Sequence, residues 1–174
     1  MERMWSPWRS QHVAEFEAEH RPGTGGPAGG GSVFARIAAA PERDAEHFVV
    51  HRGATAFVVM NLYPYNNGHL LIVPYREVAS YRALTDVERE EVAGLIGRVM
   101  GWLEAALRPH GFNVGINEGS ASGAGIPGHL HVHVVPRWRA DTNFMPVLAD
   151  TKVLPEGLAE TYAKLRAAVE AEGA

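Results

Sequence analysis

The sequence predicts an α+β fold: an antiparallel sheet of about five strands against one long helix, with a C-terminal helix as an appendage. Three observations carry that expectation. His129, His131 and His133 alternate with Leu130, Val132 and Val134, the period of a strand with two unlike faces. Between 84 and 107, apolar residues recur at helical spacing behind a Thr85/Glu88 capping box. Short apolar runs bounded by turn residues fill much of the rest.

The 174 residues suit a single domain, 1–174, with room for a real core. A formal charge of −4 leaves no basic footprint for a nucleic-acid partner. The absence of cysteine excludes disulfides and thiolate metal sites. No apolar run reaches the length of a membrane span, and the N-terminus lacks a signal-peptide core, so the default expectation is a cytoplasmic protein without a membrane partner.

Residues 1–21 hold Trp5 and Trp8 around Pro7. They fit equally an arm packed on its own domain or one that reaches a partner subunit. Residues 22–31, with six glycines and two prolines, read as a flexible loop. No Gly-Lys-Ser/Thr closes it, so it is not a phosphate-binding loop of that type. Structured chain resumes at 32–37 with a helical bias through Ala40. Residues 48–50 read as a strand, with Arg52 and Gly53 in the turn after it. Residues 56–62 read as a buried strand that ends in polar Asn61, whose carboxamide suits a ribose diol as well as a plain turn. A loop over 64–68 leads to a strand at 69–73.

The long helix carries Val92, Leu95, Ile96, Val99, Leu103 and Leu107 on one face and would span roughly 35 Å. Gly94, Gly97 and Gly101 lie on a second face. Each weakens the helix by about 1 kcal/mol relative to Ala, and their expected use is the close approach of another backbone. Pro109 and Gly111 stop the helix. A strand at 112–117 and the histidine strand at 128–137 pair around the intervening loop. Residues 138–155 are mostly irregular, and Leu158, Tyr162, Leu165 and Val169 mark the C-terminal helix, with Glu160 and Lys164 on its solvated face.

Three imidazoles on one strand face allow four readings. They are an exposed polar face, a metal site, general acid–base work at neutral pH, or nucleophilic catalysis in which one ring attacks and its neighbours orient it. The loop at 117–128, almost all small residues, lets backbone N–H groups approach a phosphate closely. A small-residue loop running directly into three imidazoles suggests an anionic ligand with the imidazoles at its phosphorus.

The run His129-Leu130-His131-Val132-His133-Val134-Val135 matches His-φ-His-φ-His-φ-φ, where φ is hydrophobic. The chain thereby resembles the histidine triad (HIT) family. The segment from Asn61 through Gly68-His69-Leu70-Leu71-Ile72-Val73-Pro74 is similar to the family's Gly-His strand, preceded at eight residues by a ribose-binding polar residue. The Trp5-Ser6-Pro7-Trp8-Arg9 start and the stretch Pro136-Arg137-Trp138 to Phe144 look like its bacterial diadenosine polyphosphate branch. The resemblance runs from about Trp5 to Pro155.

The resemblance implies an enzyme, a HIT-type nucleotidyl hydrolase or transferase acting on diadenosine polyphosphates. His131 would attack the α-phosphorus and form a nucleotidyl-histidine, released by water or by inorganic phosphate. His129 and His133 would donate to phosphate oxygens, and His69 would support them. Val33, Phe34 and Ile37 would line the adenine pocket, with Asn61 and Leu62 beside the ribose. Asn117 would bind near the α-phosphate, and Ser122 and Gly123 would offer donors to the polyphosphate. A nucleotide-binding module with little turnover, a hydrolase of nucleoside phosphoramidates, and a metalloenzyme using the triad as ligands are the alternatives.

Two departures from the family pattern carry weight. Many members place Cys-x-φ-Cys where this chain has Ser32 and Ala35, so no structural zinc and no tightly bound cofactor is expected. A divalent cation accompanying the polyphosphate is a separate matter. The glutamine that better-known members place four residues before the first triad histidine is Gly125 here, in a loop one residue longer. The added room favours an attacking inorganic phosphate, hence a phosphorylase, over water. The family also implies a homodimer or a dimer of dimers.

Overall fold

The computed structural model describes residues 31–142 and 153–173. The tryptophan arm, all but Gly31 of the glycine-rich loop, and residues 143–152 lie outside the described residues. Helix α1 (Val33–Ala38) opens the chain, capped by Ser32. Strands β1 (Val49–Arg52), β2 (Ala56–Met60) and β3 (Leu70–Pro74) follow as a meander. The long helix α2 (Asp86–Leu107) crosses to β4 (Gly111–Ile116) and β5 (Val132–Arg137), and α3 (Leu158–Glu172) closes. All neighbours in the sheet are antiparallel, in the order β1-β2-β3-β5-β4. Among the described residues, no helix is long and apolar enough to cross a membrane.

Period-2 alternation gives the sheet two unlike faces. Val58, Met60, Ile72, Val132 and Val134 turn to one side, where they bury against Leu95, Val99 and Leu103 of α2. Phe57, Val59, Leu71 and Val73 turn to the other, where Phe34 of α1 covers them. His133 pairs with Leu71 across β3 and β5, so the imidazoles belong to the α1 face. The capping box forms as expected: Thr85 and Glu88 exchange side-chain and backbone hydrogen bonds at the start of α2. Helix α2 then runs 22 residues to an αL cap at Arg108.

The fold departs from the sequence expectations in four places. The regular ladder of β5 begins at Val132, so only His133 of the triad lies in it. Pro74, at the end of β3, has no N–H to continue the pairing, and β4 ends at Ile116 opposite Val132. His129 and His131 lie on the approach to the strand, which is held by the Leu130 N–H donating to the Val78 carbonyl at 2.7 Å. Arg52 completes β1 rather than turning, because its guanidinium pairs with Asp44 at 2.7 Å and also donates to the Ile37 and Ala38 carbonyls.

Helix α3 is no appendage. Leu165 is fully buried in the α2-side core. The Tyr162 hydroxyl and the Arg166 guanidinium donate to the Val49 and Val50 carbonyls of β1, at 3.1 and 2.8 Å. Finally, no backbone among the described residues approaches the α2 glycines: a Cβ at Gly94, Gly97 or Gly101 would meet none of their atoms within 4 Å. At Gly68 the requirement is real. Its φ of +73° suits glycine, and a Cβ there would strike Leu107 and Leu103 of α2. That close approach sets His69 at the mouth of β3.

Candidate active site

The chemistry of the imidazoles depends on which nitrogen of each ring holds the hydrogen, and fixed partners decide that. His131 is buried, and its Nδ1 lies 2.9 Å from the His129 carbonyl oxygen. A carbonyl only accepts, so Nδ1 carries the hydrogen and Nε2 of the neutral ring keeps its lone pair. Burial lowers the His131 pKa below the ordinary histidine value, against the raising effect of that carbonyl bond, and so favours the neutral form.

His133 is set by a relay. The Tyr65 backbone N–H donates to His69 Nδ1 at 3.1 Å. His69 must then hold its hydrogen on Nε2, which lies 2.9 Å from His133 Nδ1. His133 Nδ1 accepts, and the His133 hydrogen sits on Nε2. Burial, with His133 and His131 adding to it, pushes the His69 pKa down to about 3, so the relay keeps one direction at neutral pH. The rings of His131 and His133 lie 4.9 Å apart. One lone pair and one N–H donor are therefore adjacent on one face. The Asn117 carboxamide stands 3.5 Å from His133 Nε2, where a flip of the amide brings its oxygen to that hydrogen.

His129 differs from the expectation that it donates to a phosphate. It is fully buried, with Nε2 2.8 Å from the Pro74 carbonyl and Nδ1 2.6 Å from the Ser32 hydroxyl. Both ring nitrogens are engaged within the protein, and its exposed-face role passes to its own carbonyl, which orients His131.

The expected nucleotide-binding residues are spread unevenly. Phe34 is buried and packs edgewise on His129 and tilted on His131, with centroids 5.5 and 5.1 Å apart. Ile37 is half-buried behind it. Val33 and Leu62 are 40% and 57% exposed, so neither is core. The Asn61 carboxamide accepts the Tyr63 N–H at 3.0 Å and lies 3.2 Å from His69 Nδ1, which makes it a turn residue that touches the relay. The Ser122 hydroxyl donates to the Gly119 carbonyl at 2.8 Å, and Gly119 and Gly123 both take positive φ. The loop is thus a series of tight turns. Glu118 ties its entry down by accepting from the Ser80 hydroxyl and the Tyr81 N–H, at 2.8 and 2.9 Å.

Three participants escape sequence reasoning. Tyr65 supplies the N–H that starts the relay, and its ring stacks on His133 at 5.7 Å. The Pro74 carbonyl and the Ser32 hydroxyl hold His129. Only Ser32 leaves a trace in sequence, as an N-cap before a hexamer that is apolar but for Arg36. Among the described residues, no group of three or more His, Cys, Asp or Glu could hold a metal ion. The residues at the family's cysteine positions do not fit zinc: Ala35 has no ligand atom, and the Ser32 hydroxyl is engaged with His129.

Five antiparallel strands with coupled imidazoles over one face define an α+β histidine domain in which one ring keeps a lone pair and its neighbour an N–H. The HIT-domain model matches residues 42–140, and the chain belongs to the HIT family. It is 41% identical over 162 residues to the AP-4-A phosphorylase of Mycobacterium tuberculosis, covering 92% of this chain and 80% of that one. It is 32% identical over 93 residues to the asymmetrical bis(5'-nucleosyl)-tetraphosphatase of Schizosaccharomyces pombe, 53% of this chain and 50% of that one. Its fold is shared with a zinc-bound histidine triad family protein from Mycobacterium smegmatis, with a TM-score of 0.66 at 22% identity over 81% of this chain and 94% of that one.

Proposed function

We propose that this protein cleaves dinucleoside polyphosphates such as diadenosine tetraphosphate at the α-phosphorus, with inorganic phosphate as the preferred acceptor. The observation that carries the reading is the His131 Nδ1–H bond to the His129 carbonyl, which leaves Nε2 unprotonated in a ring beside the His133 donor. The similarity to the M. tuberculosis phosphorylase supports the substrate class.

In the first step the Nε2 lone pair forms a bond to the α-phosphorus and the bond to the bridging oxygen breaks, so that ATP leaves. The ring becomes cationic as the N–P bond forms, and the carbonyl at Nδ1 stabilises that charge. His133 Nε2–H, on the same face, donates to oxygens that gain charge. In the second step phosphate displaces the imidazole and yields ADP; water in its place yields AMP. Asn61, Leu62, Val33, Phe34 and Ile37 bind the nucleoside, and Asn117, Ser122 and Gly123 the phosphates. A divalent cation would enter with the polyphosphate rather than as a resident of the site. A product assay on diadenosine tetraphosphate tests the reading. ADP plus ATP is the expected pair; AMP plus ATP even at millimolar phosphate would make it a hydrolase, and no turnover would reject the enzyme.

The reading includes three further expectations. The purified chain holds no stoichiometric structural zinc, and one tightly bound zinc per chain by elemental analysis would reject that. The protein is cytoplasmic, which cell fractionation tests. It assembles as a homodimer or a dimer of dimers. Support for assembly lies at β4, an edge strand on which Val114 and Ile116 are 43% and 36% exposed beside Ala93 and Ile96 of α2.

A further inference from the structure

We propose that Ser32 is a positioning residue of the triad, acting through His129 on the nucleophile; the proposal rests on the reading of His131 given above. One hydroxyl does two things here. It caps α1 by accepting the Ala35 N–H at 3.1 Å, and it lies 2.6 Å from His129 Nδ1, 97 residues away in the chain. Hydrogen accounting orients the second bond. The Pro74 carbonyl can only accept, so His129 holds its hydrogen on Nε2 and the neutral ring accepts at Nδ1. Ser32 is the donor.

Ser32 is itself held, because its backbone N–H donates to Glu77 at 3.0 Å. Two residues along, Phe34 packs on both His129 and His131. Helix α1 therefore meets the triad at a polar point and an apolar one. The ring of His129 is clamped at both nitrogens, and the residue so clamped presents the carbonyl that places the hydrogen on His131 Nδ1. Without the Ser32 hydrogen, a fully buried acceptor loses its donor, and the ring is released to turn. The carbonyl moves with it, and His131 is no longer confined to the tautomer that attacks.

Three substitutions separate this from simple helix capping. Ser32→Thr keeps the hydroxyl. Ser32→Asp keeps a good cap acceptor but has no hydrogen to give to the His129 ring. Ser32→Ala loses both. Nitrogen-15 histidine spectra report the tautomers of His129 and His131 without any substrate. Turnover of diadenosine tetraphosphate gives kcat and KM.

Ser32→Thr is expected within about twofold of wild type in kcat. Ser32→Asp is expected to lose about tenfold in kcat with KM little changed, the worth of one hydrogen bond expressed at the transition state, and to show altered His129 and His131 nitrogen signals. If Ser32→Asp, folded by circular dichroism, matches wild type in kcat and in both ring spectra, Ser32 only caps the helix and the proposal falls. If wild type itself shows no turnover, the functional reading fails. The spectra still decide the Ser32 contact: unchanged rings in Ser32→Asp overturn it, and changed rings uphold it.

Discussion

The two nitrogens of His131 are unlike because one faces the His129 carbonyl. That asymmetry ranks the histidines. Loss of the nucleophile removes the covalent route, whereas loss of a donor removes part of the charge stabilisation, typically about 10²–10³ in rate. His131→Ala should nearly abolish turnover while still binding nucleotide by calorimetry. His133→Ala should retain activity reduced by roughly 10²–10³, and His129→Ala should stay measurable provided it folds. An acid-labile nucleotidyl adduct should form on wild type and not on His131→Ala; an adduct on another residue would refute the assignment. The pH profile follows from the same burial. Protonation removes the attacking lone pair, so activity is present above the His131 pKa and is lost as pH falls through it. Because burial sets that pKa below 6.5, the acid limb of kcat/KM assigned to His131 should lie below the ordinary histidine range. A limb above 6.5 that disappears with His131 would contradict the geometry.

At the scale of elements, α3 shows how a helix is stitched to a sheet edge. Leu165 fills the α2-side core, and side chains of Tyr162 and Arg166 satisfy carbonyls of β1. Leu165→Ala should cost about 2–5 kcal/mol, read as a lower urea midpoint without a change of product pattern. A variant as stable as wild type would mean that α3 is indeed peripheral. Periodicity makes the strands, α2 and α3 readable from sequence, because burial on one face imprints spacing. It does not reveal what a helix packs on, so α3 reads as an appendage. Nor does it locate where a ladder stops: the alternation at 129–134 continues past the point where Pro74 and Ile116 end the pairing. The triad is legible as a row of like residues. The contacts that give its rings different roles are not: Ser32, the Pro74 carbonyl and the Tyr65 N–H reach their histidines through the tertiary fold, and the cap signal of Ser32 points to its helix rather than to His129.

For the whole molecule, the exposed edge at β4 decides how copies of the chain can meet. Among the described residues, β4 ends the sheet with Val114 and Ile116 exposed, and no residue among them lies within 4 Å of where a Cβ would stand on Gly94, Gly97 or Gly101 of α2. A second copy would supply both the missing strand and the missing backbone. Ile116→Arg should shift light scattering from dimer to monomer at micromolar concentration; a dimer that survives would place the interface elsewhere.

The alternation along 131–134 binds two requirements to one count of residues. His131 and His133 face one side of the sheet while Val132 and Val134 face the other. Removing one residue from the 119–125 turns shortens a surface loop. Removing one between 131 and 134 exchanges valine for histidine in the core and histidine for valine above it. The first deletion should be tolerated in a soluble, folded chain, and the second should not yield one. Turnover per milligram therefore doubles as a gauge of refolding: a molecule that works is one whose strand has been threaded correctly.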